Sequence, residues 1–364
     1  MIGGAEVAVK EITDRLPDFA FDLICARIKK DLPAQEKVGQ VNVYRLGSGC
    51  GWLDKFLLPW RGARLAGRLQ KEKNYDAIWT IMASFGGLAA LFFKKKNPGI
   101  PYLLTLQEGD SPEHIRSRAQ WLGPYWRQIF ARADYLTVIS NYLADFGRQH
   151  GAVAPIEVVP NGVNLKETRN ENKELRKKLD IKDNEKVFIT ASRLVPKNGL
   201  ADLIEAVAEL PTENYKLLIL GSGPLEKDLK LKVERLKIKD RVLFLGEVAP
   251  GQVAEYLSFS DIFVRPSLSE GLGNAFLEAM AAGVPVIGPL VGGIPDFLKD
   301  GETGLVCEVR SPGSIAEKIK QLLADEALRQ KLIVNGRQLV EEKYNWDKIA
   351  RQVVDIFNKL NARK

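Results

Sequence analysis

The chain has 364 residues, 45% of them hydrophobic and 27% charged, a globular balance that predicts two domains and excludes disordered or fibrous classes. The net charge of +7 is uneven, with 21 basic against 16 acidic residues up to position 165 and 32 against 30 beyond it. No apolar run reaches the roughly 20 residues of a membrane span, and residues 1–6 lack the basic and apolar regions of a secretory leader. Cys25, Cys50 and Cys307 are too dispersed for a disulfide framework or a zinc set, and read as thiols of a reducing cytoplasm. With only His114 and His150, which read as surface residues, a His-rich metal site or a Ser-His-Asp triad is disfavoured.

In chain order, a helix is expected over 4–16. Apolar runs then predict strands at 21–26, 41–46, 77–82, 102–107, 135–139 and 156–159, with a helix over 124–131. The segment 52–73 places Arg61, Arg64 and Arg68 on one helical stripe beside Phe56, Leu57, Leu58, Trp60, Leu65 and Leu69. Lys55, Lys71 and Lys73 add to its charge, and Lys94-Lys95-Lys96 follow close behind in the chain. Such a segment suits an anionic membrane surface, where each basic residue contributes about 1 kcal/mol; a solvated amphipathic helix is the alternative. No nucleic-acid motif accompanies the charge, so nucleic acid is not an expected partner.

The turn-forming Pro160-Asn161-Gly162-Val163 marks a boundary between domains 1–163 and 164–345. Further strands are expected at 187–191, 216–220, 242–245, 262–265, 285–288 and 304–307, and an amphipathic helix over 346–360. Strands alternating with helices predict an α/β protein with parallel sheets.

Four stretches carry candidate chemistry. The first runs from Pro266-Ser267 through Glu270-Gly271-Leu272-Gly273-Asn274 to Glu278, a strand feeding a Gly loop and a helix that starts near Gly273 or Asn274. Backbone N–H groups at that helix start suit an anion, and the two carboxylates suit sugar hydroxyls. Alone, the glutamates equally fit a solvated helix end. The second is Ser192-Arg193-Leu194-Val195-Pro196-Lys197-Asn198, where Arg193 and Lys197 can offset a leaving diphosphate without a metal. The third, Gly221-Ser222-Gly223-Pro224, suggests a nucleotide-facing loop, although Glu226 breaks a dinucleotide fingerprint. The fourth is Gly3-Gly4, a helix start that offers N–H groups to phosphate.

In this order the motifs resemble the group 1 glycosyltransferases, glycosyltransferase family 4. Val159-Pro160-Asn161-Gly162-Val163, Glu278-Ala279-Met280-Ala281-Ala282-Gly283 and Gly292-Gly293-Ile294-Pro295-Asp296 add to the match. The resemblance implies a GT-B fold, two Rossmann-like domains facing a cleft, with the helix at 346–364 joined to the first. It implies retaining transfer from a nucleotide-diphosphate sugar, with no metal and no cofactor. Arg193 would bind the diphosphate with Lys197 as second cation, and Glu270 would approach the sugar hydroxyls. Gly271, Leu272, Gly273 and Asn274 would meet the donor's ring or phosphate, and Glu278 the ribose. Gly221, and Gly246-Glu247-Val248 beside the base, complete the donor wall, with Gly4 approaching the phosphate from the other domain.

Three departures stand out. Relatives place a strand before the Gly-Gly loop, so the first strand of the N-terminal domain is expected to be missing, its true start upstream and two strand edges exposed. Relatives commonly carry a histidine where Gln107 stands, which leaves Gln107, Glu108 and Asn161 as acceptor-side candidates. Their second lysine falls at Asn198 rather than Lys197.

The expected activity is hexosyl transfer from a UDP- or GDP-sugar to a cell-envelope glycan or lipid-linked acceptor. The expected location is the cytoplasm, peripheral on the inner membrane face if the segment 52–73 meets anionic lipid. The rivals are a catalytically silent nucleotide- or glycan-binding module, a sugar-nucleotide epimerase and a nicotinamide-dependent dehydrogenase, the last opposed by the broken dinucleotide fingerprint.

Overall fold

A computed structural model describes residues 4–110, 115, 117, 122–165, 172–211 and 214–362. The chain divides into two compact units, residues 1–161 with 346–364, and residues 162–345.

Unit 1 opens with α1 (Gly4–Asp14) and continues through β1 (Phe21–Ala26), β2 (Gln35–Val38), β3 (Val41–Leu46) and α2 (Trp52–Lys73). Then come β4 (Ile78–Ile81), α3 (Phe85–Lys96), β5 (Tyr102–Leu106), α4 (Tyr125–Ala131), β6 (Tyr135–Val138), α5 (Asn141–Gln149) and β7 (Ile156–Val158). Its strands form two sheets. One has the order β1-β3-β2, with β2 antiparallel; the other is β4-β5-β6-β7, all parallel. β1 and β4 are therefore edge strands among the described residues. Phe21 of β1 and Trp79 of β4 have ring centroids 6.3 Å apart, and both pack against Phe357.

Unit 2 contains α6 (Lys173–Lys178), β8 (Lys186–Ala191), α7 (Leu200–Ala208), β9 (Tyr215–Leu220), α8 (Glu226–Arg235), β10 (Val242–Gly246) and α9 (Pro250–Leu257). It continues with β11 (Ile262–Val264), α10 (Asn274–Ala281), β12 (Val286–Gly288), β13 (Leu305–Val306), α11 (Pro312–Ala324) and α12 (Glu326–Lys343). Its six strands form one parallel sheet, β10-β9-β8-β11-β12-β13. Val187, Phe188, Ile189, Leu217, Leu218, Ile262, Phe263 and Val264 are fully buried, because helices cover both faces of such a sheet.

α13 (Trp346–Asn361) packs with unit 1. Its apolar positions recur at helical spacing, and Ile349, Val353, Ile356, Phe357 and Leu360 are buried with Ala8 and Ile12 of α1, Leu103 and Val159. Each such side chain contributes roughly 1.5–3 kcal/mol by leaving water. Arg15 Nε donates to Asp347 Oδ1 at 2.8 Å and Lys359 Nζ to Glu157 Oε2 at 3.0 Å. These exposed pairs orient the helix more than they stabilise it.

The sequence reading missed β2, whose Gln35-Glu36-Lys37-Val38 is too polar and short to show alternation. It also misplaced His150. Rather than lying on the surface, the ring is half-buried, stacked on Phe146 at 4.0 Å, beside Trp126 and Phe130. His114 lies outside the described residues.

Candidate active site

The sheet order of unit 2 fixes where a site can form. Successive connections run from β8 outward to β9 and β10, then return to β11 on the other side of β8. The chain therefore leaves β8 and β11 toward opposite sides, which makes the carboxyl ends of these two strands the switch-point opening where open α/β sheets bind ligands.

Backbone contacts knit these loops together. Leu268 N donates to Lys197 O at 2.6 Å, Leu194 N to Ser222 O at 2.9 Å, Gly293 N to Glu270 O at 3.1 Å and Gly221 N to Gly246 O at 2.6 Å. The close approach requires glycine at several of these positions. At Gly199 (φ 66°) a Cβ would collide with the carbonyl oxygen of Pro266, and at Gly292 (φ 56°) with that of Glu270. The motif glycines are thus packing contacts between loops as well as candidate ligand contacts.

The opening concentrates unmet polar capacity. Thr190 Oγ1, Ser192 Oγ, Arg265 Nε and Ser267 Oγ are buried without a hydrogen-bond partner, and all lie at the ends of β8 and β11 or just beyond. Each such atom costs about 1–3 kcal/mol unless water or a ligand meets it. No other part of unit 2 holds such an atom among the described residues.

Of the residues expected here, Arg193 is exposed on the loop after β8, and Lys197 is half-buried in the 3-10 turn Pro196–Asn198. Gly271, Leu272 and Gly273 are buried, and Gly273 (φ 102°) caps the start of α10. Asn274 opens that helix and Glu278 lies about one turn inside it, both half-buried. Gly221 and Gly246 pair across their loops, with exposed Glu247 and half-buried Val248 following. Two partners escaped the sequence reading. Asn198, read only as the place of a missing lysine, is buried and donates Nδ2 to Arg193 O at 2.6 Å. Arg265 reaches Glu270 and Asn198; its signal was an arginine closing an otherwise apolar strand.

The remaining candidates lie in unit 1. Gly4 is the exposed first residue of α1. Gln107 and Asn161 are buried, and Asn161 Nδ2 donates to Gln107 Oε1 at 3.4 Å. Glu108 accepts from Ala83 N at 2.8 Å, its other oxygen is buried without a partner, and burial pushes its carboxyl above the usual range.

The segment 52–73 is the helix α2. Asp54, buried at its start, accepts the N–H groups of Ser48, Gly49 and Cys50 and so anchors the preceding turn. Among the described residues, no group of three or more His, Cys, Asp or Glu side chains forms a metal cluster, and no helix is long and apolar enough to cross a membrane.

The family model described as Glycosyltransferase Family 4 matches residues 2–167, and that for Glycosyl transferases group 1 matches residues 171–339. The chain is 35% identical over 231 residues to N-acetyl-alpha-D-glucosaminyl L-malate synthase of Bacillus anthracis, covering 62% of this chain and 60% of that protein. It is 33% identical to the GDP-mannose-dependent monoacylated alpha-(1-6)-phosphatidylinositol monomannoside mannosyltransferase of Corynebacterium glutamicum, covering 84% of this chain and 82% of that one. In structure it resembles a sucrose-phosphate synthase from Thermosynechococcus elongatus with a TM-score of 0.87 at 24% identity, covering 100% of this chain and 94% of that one. The chain thus spans less than two thirds of the Bacillus relative but more than four fifths of the mannosyltransferase. From the motifs, the parallel sheets and these matches together, the chain belongs to the group 1 glycosyltransferases of family 4, with the GT-B fold.

Proposed function

We propose that the protein transfers a hexosyl unit from a UDP- or GDP-sugar to a cell-envelope glycan or lipid-linked acceptor, with retention at the sugar and without a metal. The observation that carries this reading is the set of unpartnered polar atoms at the β8–β11 opening, flanked by Arg193 and Lys197. A nucleotide-diphosphate sugar has a hydroxyl-rich end and an anionic end, and the opening presents acceptors and cations to match.

Transfer separates charge as the sugar–phosphate bond breaks. Cations held in place before that step stabilise the diphosphate more in the transition state than in the ground state. Arg193 would hold the diphosphate and Lys197 would add a second charge, so no metal is invoked. Glu270 would accept from sugar hydroxyls, Gly271–Asn274 would meet ring or phosphate at the start of α10, and Glu278 would accept from the ribose. Gly221 and residues 246–248 would frame the base. In unit 1, Gly4 is the phosphate candidate, and Gln107, Glu108 and Asn161 are the acceptor candidates.

The acceptor side of this reading includes an anionic membrane surface at α2, with the protein otherwise cytoplasmic. Trp52 and Trp60 on this helix are 76% and 54% exposed. The rings continue beyond α2 as a ribbon, Phe85–Phe56–Trp60–Phe92–Tyr125, with neighbouring centroids 5.5–6.3 Å apart. Exposed Lys55, Arg64 and Lys95 flank it, Lys95 over the Tyr125 ring at 5.1 Å, and neither α3 nor α4 contains an acidic residue. Aromatic rings within a basic rim suit the headgroup level of an anionic bilayer.

The experiment is a melting-temperature panel of UDP-, GDP- and ADP-sugars. A cognate donor at a hundred times its Kd stabilises its unit by about 2.7 kcal/mol, a rise of roughly 5–10 °C. No rise with any of them would overturn the reading.

A further inference from the structure

One group at the opening has no part in the roles above. Arg265 directly follows β11, and its backbone N–H donates to Ile287 O at 3.1 Å, so its side chain is rooted in the sheet. Its Nη2 lies 2.7 Å from Glu270 Oε2, with the two side chains 11% and 12% exposed. The same nitrogen donates to Asn198 Oδ1 at 3.2 Å, and Asn198 donates onward to the carbonyl of Arg193 at 2.6 Å. A single guanidinium thus links the carboxylate loop after β11 to the cation loop after β8.

The environment makes this link directional. A buried carboxylate stays close to its counter-charge, because swinging away would leave both charges uncompensated. The guanidinium is planar, so its contacts fix orientation as well as distance. Arg265 Nε nevertheless has no hydrogen-bond partner, so the guanidinium is not used up by these contacts.

We infer that Arg265 is a positioning residue of the donor site: it aims the Glu270 carboxylate and ties the Arg193 loop to it, so that the sugar-facing acid and the diphosphate-facing cation move as one unit. The inference rests on the donor-site reading above. Arg265 then acts on how the sugar is held during transfer and leaves nucleotide binding to the exposed loops.

The test compares the wild type with Arg265→Gln, Glu270→Gln and the double variant, with folding checked by melting temperature and UDP, UDP-glucose, GDP and GDP-mannose as probes. In Arg265→Gln, affinity for the bare diphosphate stays within about twofold, while the preference for its sugar-bearing form and kcat for donor turnover each fall about tenfold or more. The double variant is no worse than Glu270→Gln by more than about twofold, because the two side chains act as one unit. Arg265→Lys keeps the charge but not the planar fork, and recovers only part of kcat; it carries the same comparison if Arg265→Gln does not fold. Multiplying effects of the two single variants, or an equal loss of bare and sugar-bearing ligand, would overturn the inference. Arg193→Ala separates the two levels. Unchanged diphosphate affinity in that variant overturns the donor-site reading, whereas a loss there with independent Arg265 and Glu270 effects overturns only the positioning role.

Discussion

In unit 2 the six strands share one parallel sheet, and the buried polar atoms without partners gather at the ends of β8 and β11. Among the described residues, unit 1 divides its strands between two sheets and carries its most exposed aromatic residue on α2. The difference bears on what each half is proposed to meet. A continuous sheet with a reversal in strand order holds several loops in fixed relation, which a small polar ligand with two chemically distinct ends requires. A helical surface with exposed rings and a basic rim makes few directional demands and suits a broad, soft surface.

Three experiments bear on this comparison. The largest expected effect is on unit 1 alone. Phe357 contacts Phe19, Phe21 and Trp79, and Phe357→Ala should cost about 3–5 kcal/mol by opening a cavity where α13 meets the strands. Calorimetry should show a lowered unit 1 transition and an unchanged donor-induced shift of unit 2; a common fall of both would erase the contrast between the units.

Next is the rim of the aromatic ribbon. Replacing Lys55, Arg64 and Lys95 together by Gln should weaken binding to phosphatidylglycerol vesicles about a hundredfold, at about 1 kcal/mol per cation, without changing melting temperature. High salt should release the wild type in the same assay. Equal retention of wild type and variant would leave α2 an ordinary solvated helix.

The smallest effect concerns Glu108, whose carboxyl is raised by burial. A carboxyl with a raised folded-state pKa favours folding below its unfolded value, near pH 4.3, and loses that contribution as pH rises through the folded value. Glu108→Gln should therefore be more stable than the wild type at neutral pH, with the gap closing toward pH 4 in denaturant titrations. A gap that widens on acidification would contradict burial as the cause.

Much of the fold was legible because it rests on local signals. Runs such as Val187–Ile189 and Leu217–Ile219 are apolar throughout, as strands covered on both faces must be, and α13 shows its buried stripe in the spacing of Ile349, Val353, Ile356 and Leu360. The motif loops were legible because glycine and proline stand where strands end. β2 was not, because a short, polar antiparallel strand is held by its neighbour β3 rather than by its own composition.

The sequence by itself determined the α/β alternation, the family and the loops on which Arg193, Lys197, Glu270 and Glu278 lie, since all of these depend on residue type and local spacing. Only the tertiary structure decided that Arg265 reaches both Glu270 and Asn198, residues 5 and 67 positions away along the chain, and that the rings of α2 continue through Phe92 to Tyr125. Those relations arise from which strands and helices become neighbours. Neighbourhood follows from the burial of whole elements, and no local pattern of residues encodes it.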